Sequence, residues 1–242
     1  MERRPAGEID HAASSLAELE LEGQTLDSLA EHVGRLGVQA LNGWDAAALS
    51  LVSGTQVATY GTTDERINPV DQAQYDADRG PCVDAIKSGE PKYFDGTTSE
   101  PRWRQFAETA ADNGVYAVLS FPLRIRGEAV GALNFYSRER DAIRPGHREE
   151  GAVFAAQAAV AIANARTLLA KDAQVSQLQD GLHSRTMIGQ ATGLLMAQEG
   201  LSSEEAFQKL VHVSQTSNVK LRDIAQRYVQ AWEQQAASSE DP

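Results

Sequence analysis

The chain holds a single cysteine, Cys82, among 242 residues. That rules out an intramolecular disulfide framework and a cysteine-based zinc cluster, and it fits a reducing compartment. Aromatic residues are scarce at 6%, so any stacking surface must be built from few rings. Positive charge is short as well: 22 lysine and arginine residues stand against 34 aspartate and glutamate residues, for a net charge of −12. Attraction to phosphate comes mainly from lysine and arginine, so the charge argues against a generic nucleic-acid coat. No apolar run approaches the roughly 18 residues of a membrane span. The leading MERRPAGEID carries no apolar segment after its arginines, so neither a secretion signal nor an anchor is expected, and the cytoplasm is the expected compartment. The usual phosphate-cradling and hydrolase motifs are missing too, which argues against an enzyme of those classes. His11, His32, His147, His183 and His212 are scattered, with no i, i+4 pair beside a carboxylate, and no metal site is expected.

What is present is a globular composition, 42% hydrophobic, over a length that suits two ordinary domains. The clearest pattern lies near the end, from Arg185 to Trp232. Ile188, Ala191, Leu195 and Met196 recur at helical spacing, as do Ala206, Phe207, Leu210 and Val213, and then Leu221, Ile224, Ala225, Tyr228, Val229 and Trp232. Glu199-Gly200 closes the first helix, Ser202 with Glu205 forms a capping box for the second, and Ser217-Asn218 separates the second from the third. Three short amphipathic helices bury their stripes only against one another. Between 181 and 232 five cationic side chains face four carboxylates, so this is the least acidic part of the chain.

This segment resembles the ANTAR domain, a three-helix RNA-binding module of bacterial transcription antiterminators. The likeness is carried by Arg185-x-x-Ile188-x-x-Ala191-x-Gly193-x-Leu195-Met196, by Glu205-Ala206-Phe207-x-x-Leu210, and by Asn218-x-Lys220-Leu221-x-Asp223-Ile224-Ala225. The resemblance implies binding to paired RNA stem-loops that block a competing terminator, by a protein that is a homodimer. It implies Arg185, Ala191, Gly193, Lys220 and Arg222 as contact or contact-shaping positions. Small residues at 191 and 193 let another backbone approach closely, and close helix packing explains them equally well. Lys209 and His212, also off the apolar stripes, add donors for phosphate and unpaired base edges. Thr192 stands where many relatives carry lysine, and His212 and Val219 where arginine is frequent, so a modest affinity, raised by dimerisation, is expected. Tyr228 and Trp232 fall on the apolar stripe, so no base-stacking platform is expected there.

Upstream, residues 1–24 read as an arm with a short Leu16, Leu19, Leu21 cluster. Thr25 caps a helix that ends near Asn42-Gly43. Strands follow at Ala46–Ser53, Gln56–Thr62 and Lys92–Phe94, and a hairpin joins Val115–Ile125 to Ala129–Ser137 around Arg126-Gly127. Helical patches lie near Val70–Tyr75, Cys82–Lys87 and Trp103–Asn113. Hairpin-joined strands interrupted by helices predict an α+β domain with an antiparallel sheet flanked by helices. This part resembles a GAF domain, a sensing or dimerising module of bacterial signalling proteins. The likeness lies in Gly80-Pro81-Cys82-x-x-Ala85-Ile86-x-x-Gly89-x-Pro91, Pro101-Arg102-Trp103, Gly114 to Leu123, and Gly131 to Ser137. GAF preceding ANTAR is a familiar actinobacterial arrangement, and the resemblance implies a small-molecule ligand of unspecified identity.

The expected organisation is therefore an arm at 1–24, a GAF sensor at 25–146, a helical or coiled-coil connector at 147–182, an all-α three-helix ANTAR bundle at 183–235, and a disordered tail at 236–242. In the connector, Phe154, Ala161, Leu168, Val175 and Leu182 recur every seven residues, but only Leu178 is apolar among their companions. The first half is expected to be buried against its own domain or a symmetry mate, and the second to pair as a short coiled coil. Cys82 follows Pro81 at a helix start, where the dipole favours a reactive thiolate. It also fits a small buried hydrophobe. Trp103, Tyr116 and Phe135 are candidates, with Cys82, for lining a ligand or redox pocket. Asp76, Asp78, Asp84 and Asp95 read either as an acidic site or as solvated loop carboxylates. Two rival functions remain open: a protein-interaction scaffold, and a cysteine-dependent reductase of the kind some GAF proteins form.

Overall fold

The structure, a computed structural model, describes residues 11, 12, 14–16, 23–96 and 101–238, the side chains of 235–238 excepted. Its elements are α1 (Leu26–Ala40), β1 (Ala46–Ser53), β2 (Gln56–Thr62), a 3₁₀ turn (Glu65–Ile67), α2 (Asn68–Asp76), α3 (Pro81–Ser88), β3 (Lys92–Phe94), α4 (Arg104–Asp112), β4 (Ala117–Ile125), β5 (Glu128–Ser137), α5 (His147–Glu199), α6 (Ser203–Ser217) and α7 (Leu221–Ser238). The chain divides into two compact units, 1–168 and 169–242.

In the first unit the five strands form one sheet in the order β2-β1-β5-β4-β3, every neighbour antiparallel. Successive side chains point to opposite faces. Ala47, Leu49 and Leu51, with Leu133, Phe135, Leu119 and Phe121, join α1 and the start of α5 in one core, where Phe154, Ala158 and Ile162 are fully buried. Ala46, Ala48, Val118 and Tyr136 face a second core completed by Val70, Phe94, Trp103 and Phe106. Each buried aromatic ring contributes about 2–3 kcal/mol relative to exposure.

Two glycines set the fit of α1 on the sheet. A Cβ at Gly37 would lie 2.8 Å from the Phe135 ring, so the helix approaches there only without a side chain. Gly61, at φ +64, is the extra residue between the Ala48–Thr62 and Leu49–Tyr60 pairs, and a Cβ there would meet the Glu31 backbone at 2.3 Å. The β4–β5 turn has φ +51 at Arg126 and +91 at Gly127, the two-residue turn whose twist matches a hairpin.

Thr25 caps α1 as expected, with Ser28 returning the bond. The leading arm is not wholly separate, since Ala12 and Leu16 are buried in the first core; Leu19 and Leu21 lie outside the described residues. The boundary expected between the connector (147–182) and the bundle (183–235) does not interrupt the helix. The connector and the first terminal helix are one helix of 53 residues, because nothing in the sequence between His147 and Glu199 forces a stop: Gly181 weakens a helix without ending it. This helix is long and apolar enough by composition alone to cross a membrane. In the first unit its alanine-rich face is core, with Ala155, Ala158, Ala159 and Ala165 buried.

The seven-residue series divides accordingly. Phe154 is buried in the first core and Ala161 packs against it, whereas Val175 and Leu182 are 51% and 63% exposed. In the second unit the end of α5 packs with α6 and α7 around Ala191, Leu195, Ala206, Leu210, Ala225 and Val229. Ser202 and Glu205 make the reciprocal capping box, and Asn218 ends α6 in the left-handed conformation at φ 52. Three alanines at the centre bring the helices close, so the buried stripe is narrow. Met196, Phe207, Val213 and Trp232, which share the predicted stripes, are exposed for that reason. Helix α7 continues to Ser238, past the expected start of the tail; 239–242 lie outside the described residues.

Candidate functional site

The first unit buries a polar cluster between its sheet and α2–α3. Asp71, a fully buried carboxylate, accepts from Tyr136 and Gln74 at Oδ1 and from Thr59 at Oδ2, the latter two at 3.1 and 3.0 Å. Tyr75 OH lies 2.8 Å from Thr59 Oγ1 and 2.7 Å from Ser50 Oγ, and Asn134 Nδ2 donates to Ser50 at 2.9 Å. An ionised Asp71 fixes the first directions in this chain: Thr59 donates to Asp71, so Tyr75 donates to Thr59.

Burial raises the Asp71 carboxyl to about 6 against the pull of its three donors. Burial, then the nearby Asp71 charge, push the Cys82 thiol up to about 12 although Ser50 and Asn134 hydrogen-bond it. The same two causes raise Tyr75 and Tyr136. Cys82 sits at the start of α3 with its N–H bonded to Gln74 Oε1 at 2.8 Å. The helix end does not make it a thiolate, because desolvation of a buried thiol outweighs the dipole.

The candidate pocket residues do not share one site. Cys82 and Trp103 are buried on the face covered by α2–α4, with Trp103 Nε1 donating to Asp84 at 2.7 Å. Phe135 belongs to the opposite core, against Trp44 and Phe121. Tyr116 is half-buried with the Arg140 guanidinium 4.4 Å from its ring centre. The acidic residues also separate: Asp78 pairs with Lys87 at 2.6 Å, Asp84 holds Trp103, and Asp76 accepts from Gln72. Among the described residues no group of three or more metal-ligating side chains assembles. The sequence reading missed Asp71, Ser50, Tyr75 and Asn134. One signal was available: Ser50 and Asn134 fall on inward positions of strands whose other inward residues are apolar.

In the second unit the predicted contact residues behave differently from one another. Ala191 is fully buried in the bundle core, while a Cβ at Gly193 would meet nothing within 4 Å. Lys209 is held by Glu199, and Arg222 lies 3.3 Å from Asp223. Arg185, His212 and Lys220 are exposed and make no ion pair among the described residues. Arg185, Gly189, Gly193, Met196, Glu204 and Phe207 line a groove of about 480 Å³ between α5 and α6. Phe207 and Trp232 are 36% and 39% exposed, so two rings stand where none was expected.

The antiparallel sheet with helices on both its faces and the helical trio define a two-domain architecture. The GAF domain family model matches residues 23–163 and the ANTAR domain model residues 176–229. The chain belongs to the GAF family and carries an ANTAR domain behind its GAF domain. No curated protein matches it. Among solved structures, the GAF domain of a phosphoenolpyruvate-protein phosphotransferase from Coxiella burnetii is 17% identical, over 69% of this chain and 99% of that one, at TM-score 0.52. The corresponding Acinetobacter domain is 11% identical, covering 69% and 97%, at 0.51. A free methionine-R-sulfoxide reductase from Neisseria meningitidis, solved with its substrate, is 14% identical, covering 66% and 89%, also at 0.51. At these identities the likeness concerns the fold.

Proposed function

We propose that this protein is a non-enzymatic, cytoplasmic RNA-binding regulator of transcription termination, in which the GAF domain senses a signal and the ANTAR bundles of a homodimer bind paired RNA stem-loops. The observation that carries this reading is the ANTAR match on a bundle that leaves Arg185, Lys220 and His212 exposed. Phosphate and unpaired base edges are met by such donors, and exposed rings such as Phe207 and Trp232 offer faces for splayed bases. Exposed Val175, Leu178 and Leu182 on α5 supply apolar surface for pairing with a second copy.

A gel-shift with a two-stem-loop RNA tests the reading. Binding that Lys220→Ala and Arg222→Ala weaken supports it; equal affinity for scrambled RNA, unchanged in both variants, overturns it. The groove walled by Met196 and Phe207 favours one second reading, a protein partner on the terminal helices. A mostly apolar interface holds at high salt, whereas RNA binding weakens there. The reductase reading has little support, since the single thiol is buried and protonated.

A further inference from the structure

Asp71 ties the sheet, α2 and α3 together through polar contacts. From its place on α2 the carboxylate accepts from Thr59 on β2 at 3.0 Å, from Tyr136 on β5, and from Gln74 at 3.1 Å. The Gln74 oxygen in turn accepts from the Cys82 N–H at the start of α3 at 2.8 Å. Gly80, just before α3, approaches the same amide so closely that a Cβ would lie 2.5 Å from Gln74 Oε1. The helices held in this way are short, nine residues in α2 and eight in α3. Helices of that length are marginal alone in water, so their order depends on their seat.

That seat is charged without a counter-charge. Every described donor to Asp71 is neutral. The titratable groups facing it, Tyr75 from α2, Cys82 from α3 and Tyr136 from β5, are held protonated by burial. Cations on the adjoining elements are engaged elsewhere: Arg66 on the 3₁₀ turn pairs with Asp64, Lys87 on α3 with Asp78, and Arg104 on α4 with Glu108. A buried carboxylate in such surroundings is stabilised either by meeting water or by taking up a proton. Once neutral, it keeps Tyr136 and Gln74 on Oδ1 and gives its own proton from Oδ2 to Thr59, so no hydrogen bond is lost.

We propose that Asp71 is a proton switch: protonated, it holds α2 and α3 on the sheet, and ionised, it lets them lift into water. This rests on the sensory reading of the GAF domain and names acidification as its signal. Burial moves the carboxyl from 3.8 to about 6, so the added hold is complete below about pH 4 and is lost as pH rises through about 6. Closure of the two helices therefore weakens about tenfold from about pH 5 to about pH 7.5.

The test is hydrogen exchange of the full chain, read by mass spectrometry over residues 68–88 and corrected for the pH dependence of free-amide exchange. At about pH 7.5 this segment is expected to exchange faster than β4 and β5, and its protection to rise about tenfold by about pH 5. Asp71→Asn puts an oxygen and an N–H where the protonated carboxyl has its acceptor and its donor, so this variant is expected to be protected alike at both pH values. Thr59→Val, which removes a donor to the ionised form, is expected to move the midpoint to higher pH, and it decides alone if Asp71→Asn does not fold. A segment that exchanges no faster than the strands, protection that stays constant with pH, the same change in Asp71→Asn, or a midpoint that Thr59→Val leaves in place overturns the proposal. RNA binding by the second unit is measured separately, so a failed proton response leaves that reading standing.

Discussion

Lys209 Nζ lies 2.5 Å from Glu199 Oε2 and 2.6 Å from Oε1, tying α6 to the end of α5. A cation expected to face RNA is thus engaged by its own domain. The pair is partly exposed, and such pairs contribute ~1 kcal/mol or less. Glu199→Gln is expected to free the ammonium, leave the melting temperature within a few degrees, and raise RNA affinity several-fold at low salt. A filter-binding titration of both proteins checks this; unchanged affinity means that Lys209 takes no part.

Ala191 and Gly193, equally small, have opposite roles. Ala191→Leu forces a larger side chain into the core of Leu195, Leu210 and Val229 and is expected to cost about 1–3 kcal/mol, read by urea denaturation. Gly193→Ala places its Cβ in open space and is expected to stabilise the helix by ~0.5–1 kcal/mol. Any loss of RNA binding in the second variant then reports a contact, not a folding defect.

Asp71 carries a pH signature. Its carboxyl is raised from 3.8 to about 6, so between those values the folded state holds more protons than the unfolded state, and stability falls as pH rises. Above about pH 6 the ionised group costs on the order of 3 kcal/mol relative to its neutral form. Asp64, held below its usual range by its hydrogen bond to Arg66, shifts stability the opposite way, so the difference between wild type and Asp71→Asn is the informative quantity. That difference is expected to change between about pH 4 and 6 and to level off above. Urea titrations across this range measure it, and a constant difference refutes the assignment.

Cys82 is expected to resist alkylation in the native protein at neutral pH and to react fully once urea unfolds it. Burial and the Asp71 charge both oppose thiolate formation. Rapid native-state labelling contradicts the described environment.

Much of the fold was legible because local chemistry and tertiary packing agree. The Ser202–Glu205 box and the Arg126-Gly127 turn each specify one conformation. The continuous α5 was missed because Asp180-Gly181 reads as a weak point, while the absence of any true stop decides the outcome. The Asp71 cluster was out of reach for a different reason. Its members come from β1, β2, α2, α3 and β5, and only tertiary folding joins residues so far apart in the chain. In the bundle the period identified the helices but not the width of the buried stripe, which the three central alanines set.

The most direct measurement of the central claim is the salt dependence of binding to a paired stem-loop RNA by wild type and by the Lys220→Ala, Arg222→Ala double variant. The account predicts specific binding that weakens as salt rises, and a slope of log affinity against log salt that the double variant reduces by about 1 to 2. A slope near zero, or one the double variant leaves unchanged with stem-loop and scrambled RNA bound alike, contradicts it.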